Sequence, residues 1–147
     1  MIDEIRASVE AEFAKVNALI VDQLHSDVDM VENVGQYIVD AGGKRLRPLL
    51  ALLAAASVAE VTEKHIKFAA IIEFIHTATL LHDDVVDIST LRRGRPTANS
   101  EFGNAPSVLV GDFLYTRAFQ LMVQLDNMRV LKLMADVTNL IAEGEVM

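Results

Sequence analysis

Apolar residues recur along this chain at spacings of three and four, the pattern of helices that each bury one face. Ile5, Val9, Phe13, Val16 and Ile20 form the first such stripe and predict a helix over Asp3 to Leu24. A second is expected over Val28 to Asp40, stopped by Gly42-Gly43, which can take the positive φ of a helix C-terminus. The third begins at Arg45, with Pro48 in the first turn, where a missing N–H does no harm. The fourth, Glu63 to Asp87, contains Ile66 to Leu81, an almost uncharged run of about four turns that reads as a buried helix. Ser89 to Ser100, rich in Gly, Pro, Thr and Asn, is expected as a loop. Pro106 to Leu125 and Met128 to Met147 complete six helices with short connections and no internal repeat. The fold class expected is all-α, a helical bundle.

With 147 residues, 52% of them hydrophobic, the chain is one domain's worth and rich in core. Absence of cysteine excludes a disulfide scaffold and thiolate metal sites. The longest charge-free stretches, Pro48 to Ala59 and Phe102 to Val110, are too short to span a bilayer, and Met1 to Glu12 is acidic, unlike a signal peptide. No transmembrane segment and a cytoplasmic location are therefore expected. Net charge is −8, yet six of the 13 Lys and Arg residues fall in two short runs, Lys44, Arg45, Arg47 and Arg92, Arg93, Arg95. Such local positive charge suits a small anion. A nucleic acid would be repelled by the rest of the chain, and none is expected as a partner.

Asp83, Asp84 and Asp87 close the fourth helix, three or four residues apart or adjacent, so their side chains fall on adjoining faces. Carboxylates at the negative end of a helix dipole, repelling one another, cost on the order of 1 kcal/mol or more, which calls for a cation. Hard oxygen ligands without Cys or paired His select Mg²⁺, with Mn²⁺ possible, over zinc. Alone, such a cluster could be a solvated helix end; the arginines just downstream favour a metal-bridged diphosphate. Lys44 and Arg47 sit at a helix N-terminus, where free N–H groups favour anions; alone, this segment could equally be a solvated basic turn. His82 is read as a capping or packing residue, and Arg117 and Asp112 as a structural pair without a catalytic role.

Four motifs in order, Gly42-Gly43-Lys44-Arg45-Leu46-Arg47-Pro48, the run from Ile72 to Asp87, Arg92-Arg93-Gly94 and Gly111-Asp112-Phe113-Leu114-Tyr115, resemble the trans-polyprenyl diphosphate synthases. The likeness runs through the whole chain, and the wording of Glu73 to Asp87 and of Val108 to Phe119 is most similar to the bacterial octaprenyl branch. The resemblance implies an isoprenoid-synthase bundle around a central cavity. It implies that Asp83, Asp84 and Asp87 bind metal and, with Arg92, are catalytic. It assigns Arg92 to the allylic diphosphate, and Lys44, Arg47, His76 and Arg93 to isopentenyl diphosphate. A lone His in an apolar helix is more often a core residue than a ligand, but His76 lies two turns before Asp83 on nearly the same face, which favours the ligand.

The chemistry implied is head-to-tail elongation of an allylic primer, farnesyl diphosphate being expected, to a long-chain product of eight isoprene units for a quinone side chain. Ionisation, attack by the isopentenyl double bond and loss of a proton need no protein nucleophile. Thr79 and Ala78 lie about 6 and 7.5 Å from Asp83 along the helix axis and Ile75 about 12 Å, so these residues are expected to line the path of the growing chain. Large aromatics at the first two places resemble short-chain enzymes; the small residues here resemble long-chain ones. The family's second aspartate-rich motif has no counterpart after Asp87, so residues 1–147 are expected to be the N-terminal part of a single domain, inactive alone. A homodimer through the last two helices is also expected. The alternatives are a non-catalytic helical subunit of a heteromeric synthase, a terpene cyclase, which would not need the Gly-Gly-Lys-x-x-Arg segment, and a purely structural bundle.

Overall fold

The computed structural model describes residues 2–41 and 43–146. Gly42, half of the pair expected to stop the second helix, and Met147, expected to end the last one, lie outside them. The first expected helix is two: α1 (Ile2–Ala7) and α2 (Glu10–Gln23). The Ser8 hydroxyl donates to the Ile5 carbonyl at 2.6 Å, offering the backbone an alternative to the helix ladder. The break turns Val9 fully into the core while Ile5, the first member of the stripe, stays exposed. Then follow α3 (Asp29–Asp40), α4 (Leu46–Val58), α5 (Glu63–Val86), α7 (Asn104–Gln124) and α8 (Met128–Val146), each near its expected place.

Helix α5 is the axis of the fold, packed against α2, α4 and α7. Its start is fixed by Thr62, whose N–H donates to His65 Nδ1 at 2.9 Å; His65 thereby takes the place that Glu or Gln usually fills in a capping box. Phe74, Ile71, Ala69, Ala70 and Ala78 on α5, with Leu114, Ala118, Leu121 and Met122 on α7, form the buried centre. Small residues at the facing positions let the two helices come close.

The stretch expected as a loop is structured. Strand β1 (Leu91–Arg92) pairs antiparallel with β2 (Arg95–Pro96) through the turn Arg93-Gly94, and the short helix α6 (Ala98–Phe102) follows. Both turn residues have positive φ, 53° and 76°, as two-residue hairpins require; glycine meets this without strain, arginine does not. With only two residues per strand, the hairpin is too short for an alternating apolar pattern to reveal it.

Helix α5 ends in a Schellman closure. Ser89 N–H donates to the Asp84 carbonyl at 2.9 Å and Ile88 N–H to the Val85 carbonyl at 3.3 Å, with Ile88 at φ 54°, a place that usually belongs to glycine. The Ser89 carbonyl then accepts from the Thr97 hydroxyl at 2.9 Å and from Asn99 Nδ2 at 3.0 Å. These bonds anchor the hairpin beside the acidic end of α5.

Helix α8 is the least covered of the long helices. Met134 is its buried residue among those described, and Leu133, Val137, Leu140, Ile141 and Val146 are exposed. No helix among the described residues is long and apolar enough to cross a membrane.

Candidate functional site

Two stripes of α5 open onto two clefts. Glu73, Thr77, Leu80 and Asp84 line the first; Thr79, His82, Asp83 and Val86 line the second. At about 100° per residue the stripes lie roughly 140° apart around the helix.

The first cleft is narrow, about 120 Å³, and basic: Arg45, Arg92, Arg93 and Arg95 line it with His76 and Tyr37. Asp84, 5% exposed, holds Arg92 in a fork, Nε to Oδ2 at 3.0 Å and Nη2 to Oδ1 at 2.6 Å. That hydrogen bonding is the main reason the guanidinium keeps its proton more firmly than usual. Arg47 Nη1 donates to His76 Nε2 at 3.1 Å, which requires that nitrogen to be unprotonated. Burial, then the charges of Arg47, Arg93 and Arg92, push the imidazole below its ordinary range, consistent with that role. Glu73 lies on the same wall; burial pushes its carboxyl up, against the pull of Arg45, Arg47 and Arg93. The Arg93 guanidinium passes so close over Gly43 that a Cβ there would collide with it. A side chain at position 43 would therefore displace the Arg93 guanidinium from its present place. Arg95 stacks on the Tyr37 ring at 4.7 Å, and the Tyr37 hydroxyl donates to the Pro96 carbonyl at 2.6 Å, tying the hairpin to α3.

Lys44 is exposed and is not among the residues lining this cleft. Arg45 is, held by a hydrogen bond to Asn17 and by a left-handed backbone, φ 51°. Sequence reasoning gave no role to Arg45, Arg95 or Glu73. For the two arginines the signal was present, since each belongs to a run already singled out.

The second cleft is wider, about 570 Å³, and lies between α5, α7 and α8. Asp83 is half-buried at its edge beside Glu145 of α8, whose carboxyl is pushed up chiefly by the neighbouring Asp83 charge and hydrogen bond, then by burial and by Asp87. Tyr115 is pushed up by burial, then by Asp83 and Glu145. Asp87 is the exposed C-cap of α5, its N–H donating to the Asp83 carbonyl at 2.8 Å. Of the three residues expected along the product path from their distance to Asp83, Thr79 lines this cleft, while Ala78 and Ile75 do not: both are buried in the core. Ala78 falls between the two stripes, turned toward neither. The expected Arg117–Asp112 pair is also absent. Arg117 lies over the Phe113 ring at 4.9 Å, and Asp112 reaches His82.

The acidic trio therefore divides. Adjacent helical residues do not share a face, and Asp84 is committed to Arg92 in one cleft while Asp83 borders the other. Among the described residues no three His, Cys, Asp or Glu side chains gather as a ready metal cage. Asp83 and Asp87, four apart, remain on one side with oxygen donors only. That set suits a hard divalent ion that completes its shell with phosphate and water.

Known proteins resemble this chain in sequence and in fold. The polyprenyl synthetase family profile matches residues 28–147. Octaprenyl diphosphate synthases of Haemophilus influenzae and Escherichia coli are 59% and 56% identical, over 99% of this chain in each case and 44% and 45% of theirs. The chain thus spans less than half the length of these curated relatives. Among solved structures, a decaprenyl diphosphate synthase from Rhodobacter capsulatus superposes with TM-score 0.92 at 51% identity, covering 98% of this chain and 45% of that one. A polyprenyl synthase from Caulobacter crescentus, complexed with calcium and isoprenyl diphosphate, gives 0.94 at 49% identity, covering 99% and 44%. With its helices, its two clefts and these relatives taken together, the chain belongs to the polyprenyl synthetase family.

Proposed function

We propose that the full-length protein is a prenyltransferase that extends an allylic diphosphate, farnesyl diphosphate being the primer, with isopentenyl diphosphate to a long-chain all-trans polyprenyl diphosphate. Eight isoprene units, for a quinone side chain, is the product we assign, on the likeness to the two octaprenyl diphosphate synthases. The observation that carries the reading is the division of α5 into a basic and an acidic side, which offers separate anchoring to a diphosphate and to a metal-bridged diphosphate.

Arg93 and the Arg47–His76 pair hold isopentenyl diphosphate in the basic cleft, with Lys44 reaching it from the surface. Asp84 fixes the Arg92 guanidinium so that it stabilises the allylic diphosphate as it departs, and Asp83 and Asp87 hold divalent cations against that same group. Magnesium is the ion we assign; the calcium and isoprenyl diphosphate in the Caulobacter crescentus relative support a divalent one. When bound, it supplies charge that lowers the cost of breaking the allylic C–O bond. Charges fixed before reaction do this without reorganisation, and the apolar wall of α5 keeps water from the cation. The isopentenyl double bond then attacks, and a proton leaves the new cation. Thr79 borders the path of the growing chain.

Residues 1–147 form the N-terminal part of one domain in this reading. The protein works in the cytoplasm as a homodimer, joined through the exposed apolar faces of α7 and α8, where Leu109, Phe119, Val123 and Leu140 lie in the open. Incubation of the full-length protein with farnesyl diphosphate, isopentenyl diphosphate and Mg²⁺ should give a metal-dependent prenyl product, whose length chromatography of the dephosphorylated alcohol reads. Failure to condense the two diphosphates would sink the assignment.

A further inference from the structure

His82 belongs to the same stripe of α5 as Asp83, beside the second cleft, and its side chain is held more firmly than a packing residue requires. Its Nε2 lies 3.1 Å from the Val108 carbonyl and 3.4 Å from Asp112 Oδ1, both on α7. The Val108 carbonyl can only accept, so this nitrogen carries the proton and donates it there, with the Asp112 carboxylate close by. The ring lies against Tyr115, centroids 5.9 Å apart. Beneath it is Gly111, where a Cβ would collide with Nε2 and Cδ2. One residue of α5 therefore meets Val108, Gly111, Asp112 and Tyr115, a full turn of α7 and more.

We propose that His82, seated over Gly111, bonded to Val108 and close to Asp112, is a positioning residue that sets the rotation of the last turn of α5, and thereby the direction in which Asp83 presents its carboxylate to a divalent cation. The inference rests on the metal-binding role given to Asp83 above. A helix end carrying acids on neighbouring residues changes which one faces the second cleft if it turns by even a fraction of the roughly 100° between them. Packing against α2, α4 and α7 holds most of α5. At the turn that carries the acids, a directed hydrogen bond to α7 adds a constraint that apolar contact there lacks. The Val108 carbonyl has a second lone pair to offer beyond its own helix, and Asp112 is exposed, so losing the imidazole leaves no buried group stranded. The fold should survive substitution.

Binding of Mn²⁺ to the full-length protein in the presence of inorganic pyrophosphate, followed by electron paramagnetic resonance, tests this without relying on turnover. His82→Leu should weaken Mn²⁺ binding about tenfold, the scale on which groups that orient metal ligands act. It should also raise KM for the allylic diphosphate while leaving that for isopentenyl diphosphate within about twofold, because the Arg47–His76 contact lies more than one turn further back along α5 than the turn that His82 holds. His82→Gln, which returns an N–H at similar reach, should restore most of the binding. Gly111→Ala should reproduce the defect by pushing the ring aside, and His82→Ala in the same chain should relieve that collision; this pair serves equally if His82→Leu does not fold. A folded His82→Leu that binds Mn²⁺ like the parent, or one that weakens both diphosphates equally, overturns the proposal. Unchanged Mn²⁺ binding in Asp83→Asn would instead remove the metal site itself, and the two failures are distinguishable.

Discussion

At the basic cleft several groups already have protein partners: Arg92 is gripped by Asp84, Arg95 lies on the Tyr37 ring, and His76 accepts from Arg47, which is exposed and does not itself line the cleft. At the acidic cleft Asp83 meets another carboxylate, Glu145, and α8 behind it is loosely covered. The first side is assembled before any ligand arrives. The second brings two acids together, whose repulsion a cation would relieve. In the proposed reading one side of α5 serves an anion through side-chain contacts already made, and the other serves a cation.

Breaking the acidic side should have the largest effect. Asp83→Asn in the full-length enzyme should lower turnover roughly 10²–10³-fold, the cost of removing one group aimed at developing charge, with the midpoint of urea unfolding unchanged or slightly raised. A turnover close to the parent's would contradict the division of the trio.

On the basic side the cost should fall on stability first. Arg92→Ala strands the buried Asp84 and should destabilise the protein by about 1.5–3 kcal/mol in urea unfolding, with Asp84→Asn in the same chain recovering part of it. If Asp84 were an open metal ligand, Arg92→Ala would leave stability untouched.

The wall residues sharpen the comparison. Ala78→Phe must force a ring into a filled core and should cost about 1–3 kcal/mol without a clean change of product. Thr79→Phe should instead keep the fold and shorten the product, as chromatography of the dephosphorylated alcohols would reveal. The reverse outcome would put Ala78, not Thr79, on the path.

The smallest effect expected is on pH. Glu73, raised by burial, resists becoming charged in the folded protein, so its penalty is absent below the ordinary carboxylate value of 4.5 and grows as pH rises through its raised value. Glu73→Gln should therefore gain stability relative to the parent at neutral pH and lose that advantage in acid. It should also tighten isopentenyl diphosphate about threefold by removing a negative neighbour. His76 works in the other direction. Its pKa is lowered, so its contribution is present above 6.5 and lost as pH falls through the lowered value, where protonation breaks the bond from Arg47. Weakening of isopentenyl diphosphate binding in that window should disappear in His76→Gln; a pH profile identical in the two proteins would count against it.

Helix placement was legible because Val16, Ile20, Phe74 and Leu114 repeat at helical spacing and their burial follows directly. The break at Ser8 was not, because it depends on a hydroxyl choosing a local carbonyl over solvent. In the candidate site, motif order and charge clustering singled out Asp83, Arg92, Arg93, Arg47 and His76. What they could not supply was direction. Counting residues along the axis put Ala78 and Thr79 together as neighbours of Asp83, but their side chains point about 100° apart, and only one lines the cleft. The same rotation separates Asp84 from Asp83. Arg45 and Arg95 were hidden by their motifs, where neighbours drew the assignment.

The Schellman closure after α5 has a consequence for how this segment can vary. Ser89 bonds back to Asp84 and forward to Thr97 and Asn99, so the span between acid and arginine is tied at both ends. It works as a ruler. Residues such as Leu91 or Thr90 can be exchanged with little harm, since their side chains are exposed. Adding or deleting a single residue between Asp87 and Thr97 would slip the hairpin and carry Arg92 away from Asp84, although every charged residue would still be there. Length, more than composition, is what this stretch must keep.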